Sequence, residues 1–258
     1  TNYNYQLFKN IVNANIFQRT LNISFTTLTK TYNALTAGQT TYTISGIIFG
    51  DIVDISNIYI TNFVDINVGS NKLVYLNQIN LIGSSYFNYI TSISGNTNGN
   101  LIPAQLIPNF YSLGKVYDRN QFAPISYNLS GFFPLDIGLV DISQNWIANY
   151  RNVNVNYNIP IDISNIILYG SVANNYYINS TITISGIITK RYIYAIGNDK
   201  NYDQAIVALL TISNIILNDT IAYFANFINI NAGANKIIYV SLSDTFLPNV
   251  WQRRLKIN

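Results

Sequence analysis

Apolar and polar residues alternate with a period of two along most of the chain. The pattern is clearest in residues 41–44 (TYTI), 152–157 (NVNVNY) and 181–184 (TITI). Alternation places the apolar side chains on one face of an extended segment, as a half-buried antiparallel strand requires. Strong helix formers are scarce, and residues 203–210 (DQAIVALL) are the best candidate for a short helix. The sequence therefore predicts an all-β protein.

Turn signals separate the alternating runs. Gly and Asn tolerate the positive φ angles of tight turns, and they cluster at residues 68–70 (VGS), 94–100 (SGNTNGN) and 197–199 (GND). Such signals recur about every ten residues, a spacing that is typical of β-sandwiches and β-barrels.

Two pairs of similar blocks indicate an internal repeat. Residues 41–48 (TYTISGII) match residues 181–188 (TITISGII) at seven of eight positions. Residues 62–76 (NFVDINVGSNKLVYL) match residues 226–240 (NFININAGANKIIYV) at eight of fifteen positions. Because the blocks keep their order, duplication explains them better than the alternative, which is independent convergence of low-complexity strands.

The repeat predicts two tandem antiparallel β-sandwiches, jelly-roll-like and related by internal duplication. The first, residues 1–135, would carry an N-terminal arm and proline-containing loops. The second, residues 136–258, would carry an insertion near residues 189–225. Four of the six prolines lie between residues 103 and 134, and loops are expected there because proline is excluded from central strands.

Charge is sparse for a chain of 258 residues. Asp, Glu, Lys and Arg supply 10% of the residues, all eleven acids are Asp, and Cys, Met and His are absent. Few titratable groups leave stability nearly independent of pH, and the lack of Cys and Met removes the main targets of oxidation. An AT-rich genome would enrich Lys along with Asn, Ile and Tyr, but Lys occurs only eight times. Selection for an exposed or acidic medium fits better and predicts an extracellular or virion-surface location.

Several classes of function are disfavoured by composition. Without Cys the chain has no disulfides or thiolate metal sites. Arg253, Arg254 and Lys256 form too small a basic cluster to predict nucleic-acid binding. No run of 18 apolar residues occurs, so no membrane span is predicted.

Catalytic constellations are also scarce. Without His or Cys the usual pairs of general base and nucleophile are missing. Asp51 with Asp54, and Asp136 with Asp141, are the carboxylate pairs that could hydrolyse a glycosidic bond. Asp is common at strand ends for local hydrogen bonding, which is the favoured interpretation. We therefore predict no enzyme, no catalytic residue and no organic cofactor.

One short segment has the alternation of calcium ligands. Asp199, Asn201 and Asp203 form Asp-x-Asn-x-Asp, a spacing that points oxygen atoms toward Ca²⁺ in metal-binding loops. Gln204 stands where an EF-hand loop needs Gly, and Leu210 where it needs Glu. The candidate is therefore a looser Ca²⁺ site, and a polar surface loop is the alternative.

Surface chemistry of two further kinds is encoded. Four Asn-x-Ser/Thr sequons, which permit N-glycosylation, begin at Asn22, Asn128, Asn179 and Asn218. The chain also contains 21 Tyr, and exposed Tyr would form a platform for a glycan or a receptor; the favoured alternative is that Tyr fills the half-buried faces of strands.

Sheet edges with so little charge lack the usual protection against pairing with other chains. We therefore expect the partners to be copies of the chain or related structural subunits. Residues 1–18 are a candidate exchanged arm, because they precede the first block and have no counterpart before the second. The alternative is a strand that closes its own sheet. Residues 246–251 (FLPNVW) are a second segment that could dock on a neighbour.

Duplicated sandwiches in a chain poor in charge and rich in Asn, Ile and Tyr resemble the double jelly-roll capsid and turret proteins of icosahedral viruses. The composition is similar to that of surface and viral proteins of thermoacidophilic archaea. The resemblance covers architecture and composition, and it implies a virion shell or vertex component without enzymatic activity.

Three functions follow from these observations. The first is a virion capsid or turret protein that self-assembles. The second is a subunit of an extracellular filament or surface layer joined by β-strand exchange, and the third is a glycan- or receptor-binding adhesive module. In each case the fold should persist from neutral pH to about pH 2.

Overall fold

A computed structural model describes residues 4–5, 8, 11–56, 59–91 and 95–243. These residues form short strands joined by turns, so the predicted all-β class is confirmed. The strands are β1 (Arg19–Thr27), β2 (Lys30–Thr31), β3 (Thr40–Ser45), β4 (Asp54–Ile55), β5 (Ile60–Phe63), β6 (Gly69–Asn77), β7 (Leu81–Ile82), β8 (Tyr89–Thr91), β9 (Asn96–Ile102), β10 (Ala104–Gln105), β11 (Ile107–Ser112), β12 (Lys115–Val116), β13 (Ile125–Ser130), β14 (Asp141–Ile142), β15 (Ile147–Tyr150), β16 (Asn156–Ser164), β17 (Leu168–Tyr169), β18 (Tyr176–Tyr177), β19 (Ile182–Thr189), β20 (Tyr194–Gly197), β21 (Leu210–Ser213), β22 (Tyr223–Phe227) and β23 (Ile238–Leu242).

Helix is confined to single turns in the described residues. The 3-10 helices are Tyr86–Asn88, Pro134–Asp136 and Ala173–Asn175. A search of the same residues finds no helix with the length and apolar character needed to cross a membrane.

One compact unit comprises the described residues within Thr1–Gln105, Phe132–Leu139 and Ser171–Tyr177. Its larger sheets have the strand orders β3-β1-β8 and β2-β9-β6-β5, and β1 contacts β9 between them. Two short pairs, β4-β7 and β10-β18, complete the unit. The contact between sheets gives this unit the layered character of a β-sandwich.

The second compact unit comprises the described residues within Leu106–Gly131, Val140–Gly170 and Ile178–Asn258. Its largest sheet has the order β12-β19-β16-β15, and β11 of the β11-β13 pair contacts β19. The remaining pairs are β14-β17, β20-β21 and β22-β23.

Alternation builds the core of the second unit. On β16, Ile159, Ile161 and Ile163 are 4%, 0% and 1% exposed, while Asp162 between them faces solvent. Successive side chains of a strand point to opposite faces, so these three isoleucines share the buried face. Burial of each contributes about 1.5–3 kcal/mol of hydrophobic free energy, taken against an extended unfolded chain.

The duplication into two jelly rolls is not confirmed. Residues 41–45 of the first block lie in β3, which pairs antiparallel with β1, whereas residues 182–188 of the second lie in β19, which pairs with β16 and β12. The two blocks look alike because both alternate Thr with apolar residues, yet they occupy different places in their sheets. The insertion near residues 189–225, inferred from the unequal spacing of the two pairs of blocks, stays a prediction. The compact units are interleaved along the sequence, and a division at residue 135 stays a prediction.

Two local expectations also differ from the structure. The proline-containing stretch forms strands β10 to β13 with loops between them; Pro103, Pro124 and Pro134 lie outside these strands, and Pro108 is accommodated because β11 pairs with β13 alone among the described strands. Residues 203–210 form no helix. Gln204 has a φ of 61°, and the Ala208 amide donates to the Ala225 carbonyl at 2.8 Å, which aligns this segment with β22.

Candidate functional site

Three lysine loops recur at a constant spacing. Lys115 stands midway in the sequence between Lys30 and Lys200. Each ammonium group donates to the carbonyl oxygen five residues further along, in Leu35, Asn120 and Ala205. The residue four positions after each lysine has a positive φ: Ala34 (61°), Arg119 (63°) and Gln204 (61°). The same loop is therefore built three times.

An aromatic ring lies under each of these lysines. The ammonium nitrogens are 5.6–5.9 Å from the ring centroids of Phe63, Tyr150 and Phe227, within cation–π range. Each ring ends the first strand of a hairpin, in residues 59–63 (YITNF), 146–150 (WIANY) and 223–227 (YFANF). The asparagine before each ring forms a bridge to the lysine loop, in the pairs Ala37–Asn62, Phe122–Asn149 and Val207–Asn226.

These correspondences define three copies of one motif. Copy 1 is residues 19–103, copy 2 is residues 104–190, and copy 3 begins at residue 191 and is described to residue 243. The match between residues 62–76 and 226–240 joins the equivalent hairpins of copies 1 and 3, which have the same register. The sequence thus detected one true pair of blocks, two copies apart.

A buried carboxylate joins copy 1 to the parts of copy 2 that belong to the first compact unit. Asp136 is 3% exposed, and its Oδ2 accepts hydrogen bonds from the hydroxyls of Tyr32 (2.8 Å) and Tyr176 (2.6 Å). The Phe133 amide donates to the Tyr176 hydroxyl at 3.1 Å, and the rings of Tyr32 and Tyr176 meet edge to face at 5.2 Å. We call this arrangement the tyrosine–aspartate junction.

Electrostatics keep both phenols protonated at the junction. Burial, and then the hydrogen bond to Asp136, raise the pKa of Tyr32 to about 12. The same two causes raise the pKa of Tyr176 well above its usual range. Two neutral O–H donors therefore face one carboxylate, which satisfies a polar group that would be costly to bury without partners.

Copies 1 and 3, as far as the structure describes them, each contain an incomplete version of this junction, in which the aspartate accepts from one tyrosine instead of two. Asp51 is the counterpart of Asp136 in copy 1, and it accepts from Tyr89 of its own copy, the counterpart of Tyr176. Asp219 is the counterpart in copy 3, and it accepts from Tyr117 of copy 2 at 3.4 Å. A complete junction needs one tyrosine from the preceding copy and one from the same copy; Asp136 has both.

The tyrosine of copy 3 has no such acceptor among the described residues. Tyr202 occupies the position of Tyr32 and Tyr117, two residues after the lysine, and it is 61% exposed. Tyr32 and Tyr117 are 1% and 7% exposed. Within the described ranges, Tyr202 thus has no carboxylate acceptor, and Asp51 accepts from Tyr89 of its own copy alone among the tyrosines.

In the calcium candidate, the Asp203 carboxylate is hydrogen-bonded to protein groups. The Lys200 ammonium donates to both carboxylate oxygens of Asp203, at 2.9 and 3.1 Å, and the Ala205 amide donates to Oδ1 at 3.0 Å. The hydrogen bond to Lys200 lowers the pKa of Asp203. No group of three acidic side chains that could hold a metal occurs among the residues searched in the described ranges. The site at Asp199, Asn201 and Asp203 stays an untested prediction, and the repeated lysine loop accounts for Asp203 alone.

The paired carboxylates bind tyrosines separately. Asp54 Oδ1 accepts from the Tyr42 hydroxyl at 2.7 Å, and Asp141 Oδ1 accepts from the Tyr127 hydroxyl at 3.1 Å. The same oxygen of each aspartate also accepts from the next backbone amide in its strand. Both side chains are thus hydrogen-bonded within the fold, and the absence of a catalytic residue stays a prediction.

The remaining candidates lie on the surface or outside the described residues. The sequon residues Asn22, Asn128, Asn179 and Asn218 are all exposed. Residues 246–251 and the basic cluster at residues 253–256 lie outside the described part of the chain.

Sequence reasoning missed the junction because its residues are far apart in the chain. A signal was nevertheless present: Lys-x-Tyr-Asx recurs at residues 30–33, 115–118 and 200–203. A comparison with known proteins adds no family to this picture, since no family model and no curated protein matches the chain.

Proposed function

We propose that the protein is a non-enzymatic structural subunit that assembles head to tail into an extracellular filament or surface layer. The observation that carries the proposal is that Asp51 of copy 1 and Tyr202 of copy 3 are the two sides of an incomplete junction. In the part of the chain that the structure describes, Asp51 of copy 1 accepts from one tyrosine where Asp136 accepts from two, and Tyr202 of copy 3 is exposed and meets no carboxylate. In the complete junction the equivalent groups meet at 2.8 Å.

The surface around Asp51 supports the same interpretation. Ile48 stands where Phe133 stands in the complete junction, and the Phe133 ring packs against Tyr32 at 5.8 Å. Ile48 is 50% exposed, and Phe49 beside it is fully exposed. Apolar side chains around an unfilled hydrogen-bonding position are typical of a surface that a partner covers.

Asp51 and Tyr202 belong to different surfaces of the chain, so a contact between them in two chains is heterologous. A heterologous contact forms a closed ring when its rotation closes and an open fibre when it does not. A virion capsid or turret, which the composition also favours, would use the same contacts in a closed shell. The internal repetition favours the open form, because three similar copies already follow one another in one chain.

Removal of one hydroxyl tests the proposal. Tyr202→Phe should weaken self-association by roughly ten- to a hundredfold, because a hydrogen bond to a charged group contributes about 1.5–3 kcal/mol. Tyr194→Phe is the matched control, since Tyr194 is also 61% exposed and occupies no junction position. Sedimentation velocity over a range of protein concentrations measures the association constants.

Asp51→Asn should weaken association to a similar extent, and the double variant should lose little more than either single one. Such coupling shows that the two side chains act in one contact. Equal association by wild type and all variants would refute the contact, and a monomer at every concentration would refute assembly. Electron microscopy separates continuous fibres from closed shells.

A further inference from the structure

The last strand of each motif completes the sheet of copies 1 and 2. In copy 1, β9 lies between β2, with which it is parallel, and β6, with which it is antiparallel. In copy 2, β19 lies between β12 and β16 in the same way. The lysine strand and the hairpin therefore depend on a common neighbour.

Copy 3 has both flanking elements without this neighbour in the described part of the chain. Its lysine segment begins at Lys200, and its hairpin strand is β23, which pairs with β22 alone among the described strands. The open edges of both elements can each accept backbone hydrogen bonds from one added strand.

The N-terminal segment resembles, in sequence and in position, the strand that copies 1 and 2 contain and that the described part of copy 3 does not. Residues 11–17 (IVNANIF) resemble residues 96–102 (NTNGNLI), which form β9, and they precede them by the same interval that separates Lys30 from Lys115. Both precede a short parallel pair: Arg19 pairs with Tyr89, as Ala104 pairs with Tyr176. The segment itself is exposed, with Ile16 at 100% and Phe17 at 84%.

We propose, building on the head-to-tail assembly above, that residues 11–17 of one chain insert as the last strand of copy 3 in a second copy of the chain. Lys30 pairs with Leu101, and Lys115 pairs with Ile188, so Lys200 pairs with Ile16 of the incoming strand. On the other edge, Lys72 pairs with Gly99, which places Ala14 opposite Lys236.

The spacing to the tyrosine–aspartate junction supports this register. The Tyr32 amide donates to the carbonyl of Ile102, which precedes Asp136 in the chain. In the incoming chain, Phe17 takes the place of Ile102, and the interval from Phe17 to Asp51 equals the interval from Ile102 to Asp136. The inserted strand thus delivers Asp51 to Tyr202 along the same path that the chain follows within copies 1 and 2.

Side-chain volume supports the same partner. A Cβ at Gly99 would lie 2.5 Å from Thr27 Cγ2, and a Cβ at Gly186 would lie 2.6 Å from Ser112 Oγ, so glycine is required opposite these side chains. Gly197 occupies the position of Thr27 and Ser112 in copy 3. The incoming strand carries Ala14 at the glycine position. A Cβ at Gly197 would lie 2.4 Å from Ile238 Cδ1, so glycine is required there within copy 3 itself, and it leaves room for the methyl group of Ala14.

Alternation along the strand provides a matched pair of variants. Ile16 corresponds to Leu101 and Ile188, which are both 1% exposed, whereas Asn15 corresponds to the exposed Asn100. Ile16→Asp should reduce assembly at least tenfold, because it buries an unpaired carboxylate. Asn15→Asp adds the same charge on the solvent face and should assemble like wild type. Both side chains are exposed in the free chain, so circular dichroism should show unchanged folding.

A peptide isolates the strand from the rest of the interface. Deletion of residues 1–18 should abolish assembly, and a synthetic peptide of residues 11–18 (IVNANIFQ) should bind the truncated chain with one site by calorimetry. The same peptide with Asp at the Ile16 position should show at least tenfold weaker binding. Absence of binding by the wild-type peptide would overturn the proposal.

Disulfide trapping tests the register, because the chain contains no cysteine. Asn98 pairs with Leu73, so the incoming Asn13 pairs with Ile237. The double variant Asn13→Cys, Ile237→Cys should form a ladder of covalent multimers under oxidation, while Asn15→Cys, Ile237→Cys should not. Cross-linking within a single chain would overturn insertion into a second copy.

The two proposals fail in different ways. Assembly of wild type together with equal assembly of Ile16→Asp would overturn strand insertion and leave head-to-tail association standing. A wild-type chain that neither associates nor binds the peptide would overturn both.

Discussion

Loss of one hydroxyl at the complete junction is the sharpest test of the repeat as a source of stability. Asp136 is 3% exposed and receives two tyrosine hydroxyls, so Tyr32→Phe leaves it with one of them. A hydrogen bond to a charged group contributes about 1.5–3 kcal/mol, and bulk water does not readily replace a donor lost from a buried carboxylate. We expect the free energy of unfolding to fall by about that amount.

The matched control removes the same atom at an exposed pair. The Tyr42 hydroxyl donates to Asp54 at 2.7 Å on the surface, where water can replace it. Tyr42→Phe should therefore lower the free energy of unfolding by less than about 1 kcal/mol. Urea unfolding of both variants, followed by circular dichroism at a concentration where the chain is monomeric, gives the two values.

Alkaline titration adds a second signature of the junction. The pKa of Tyr32 is about 12 in the folded protein and about 10 in an unfolded chain. Between pH 10 and pH 12 the unfolded state releases the Tyr32 proton, which the folded state keeps. The contribution of Tyr32 to the free energy of unfolding is therefore complete below pH 10. It is lost at about 1.4 kcal/mol per pH unit as the pH rises toward 12. The difference between wild type and Tyr32→Phe should therefore narrow over this window. A constant difference, or a loss no larger than that of Tyr42→Phe, would refute the reasoning.

Two further expectations concern packing and acid. Gly99→Ala should lower the free energy of unfolding by about 1–3 kcal/mol, since its Cβ would overlap Thr27; Gly233→Ala, with its nearest atoms at 3.9 Å, should be neutral in the same urea assay. The hydrogen bonds from Lys72 and Arg151 lower the pKa values of Asp65 and Asp162. The contribution of these two aspartates to the free energy of unfolding is therefore present above about pH 4 and is lost on acidification below it. Because both aspartates are about half exposed, the loss should be small, and far-UV circular dichroism should persist to about pH 2; its disappearance near pH 4 would contradict this.

The sequence predicted the strands well because their period is local. Ile159, Ile161 and Ile163 alternate with polar or small neighbours, and the structure buries all three. The assignment of copies failed where two unlike strands carry the same letters. Residues 41–48 and 181–188 share TxTISGII, but strand composition reports exposure on two faces and not position within a sheet.

The junction could not be predicted in the same way. Tyr32 and Asp136 are separated by 104 residues, and neither position has a local pattern that names its partner. What the chain does carry is a regular interval between its lysine loops, with little identity between them. Lys30, Lys115 and Lys200 are recognisable as equivalents once their carbonyl acceptors and aromatic rings are known, because the loops share contacts more than letters.

The scarcity of charge and the proposed assembly have a common physical basis. Soluble β-proteins commonly place lysine on sheet edges to block pairing with other chains. Here the ammonium groups of Lys72, Lys115 and Lys200 are tied into loops, and their side chains are 11%, 9% and 26% exposed. Neither residues 11–17 nor the strand Ile238–Leu242 contains a charged residue. The lysines therefore stabilise the loops of each copy and leave these edges uncharged, as strand insertion requires. A single lysine substituted into β23, the edge strand that the inserted strand would pair with, should then block assembly without unfolding copy 3.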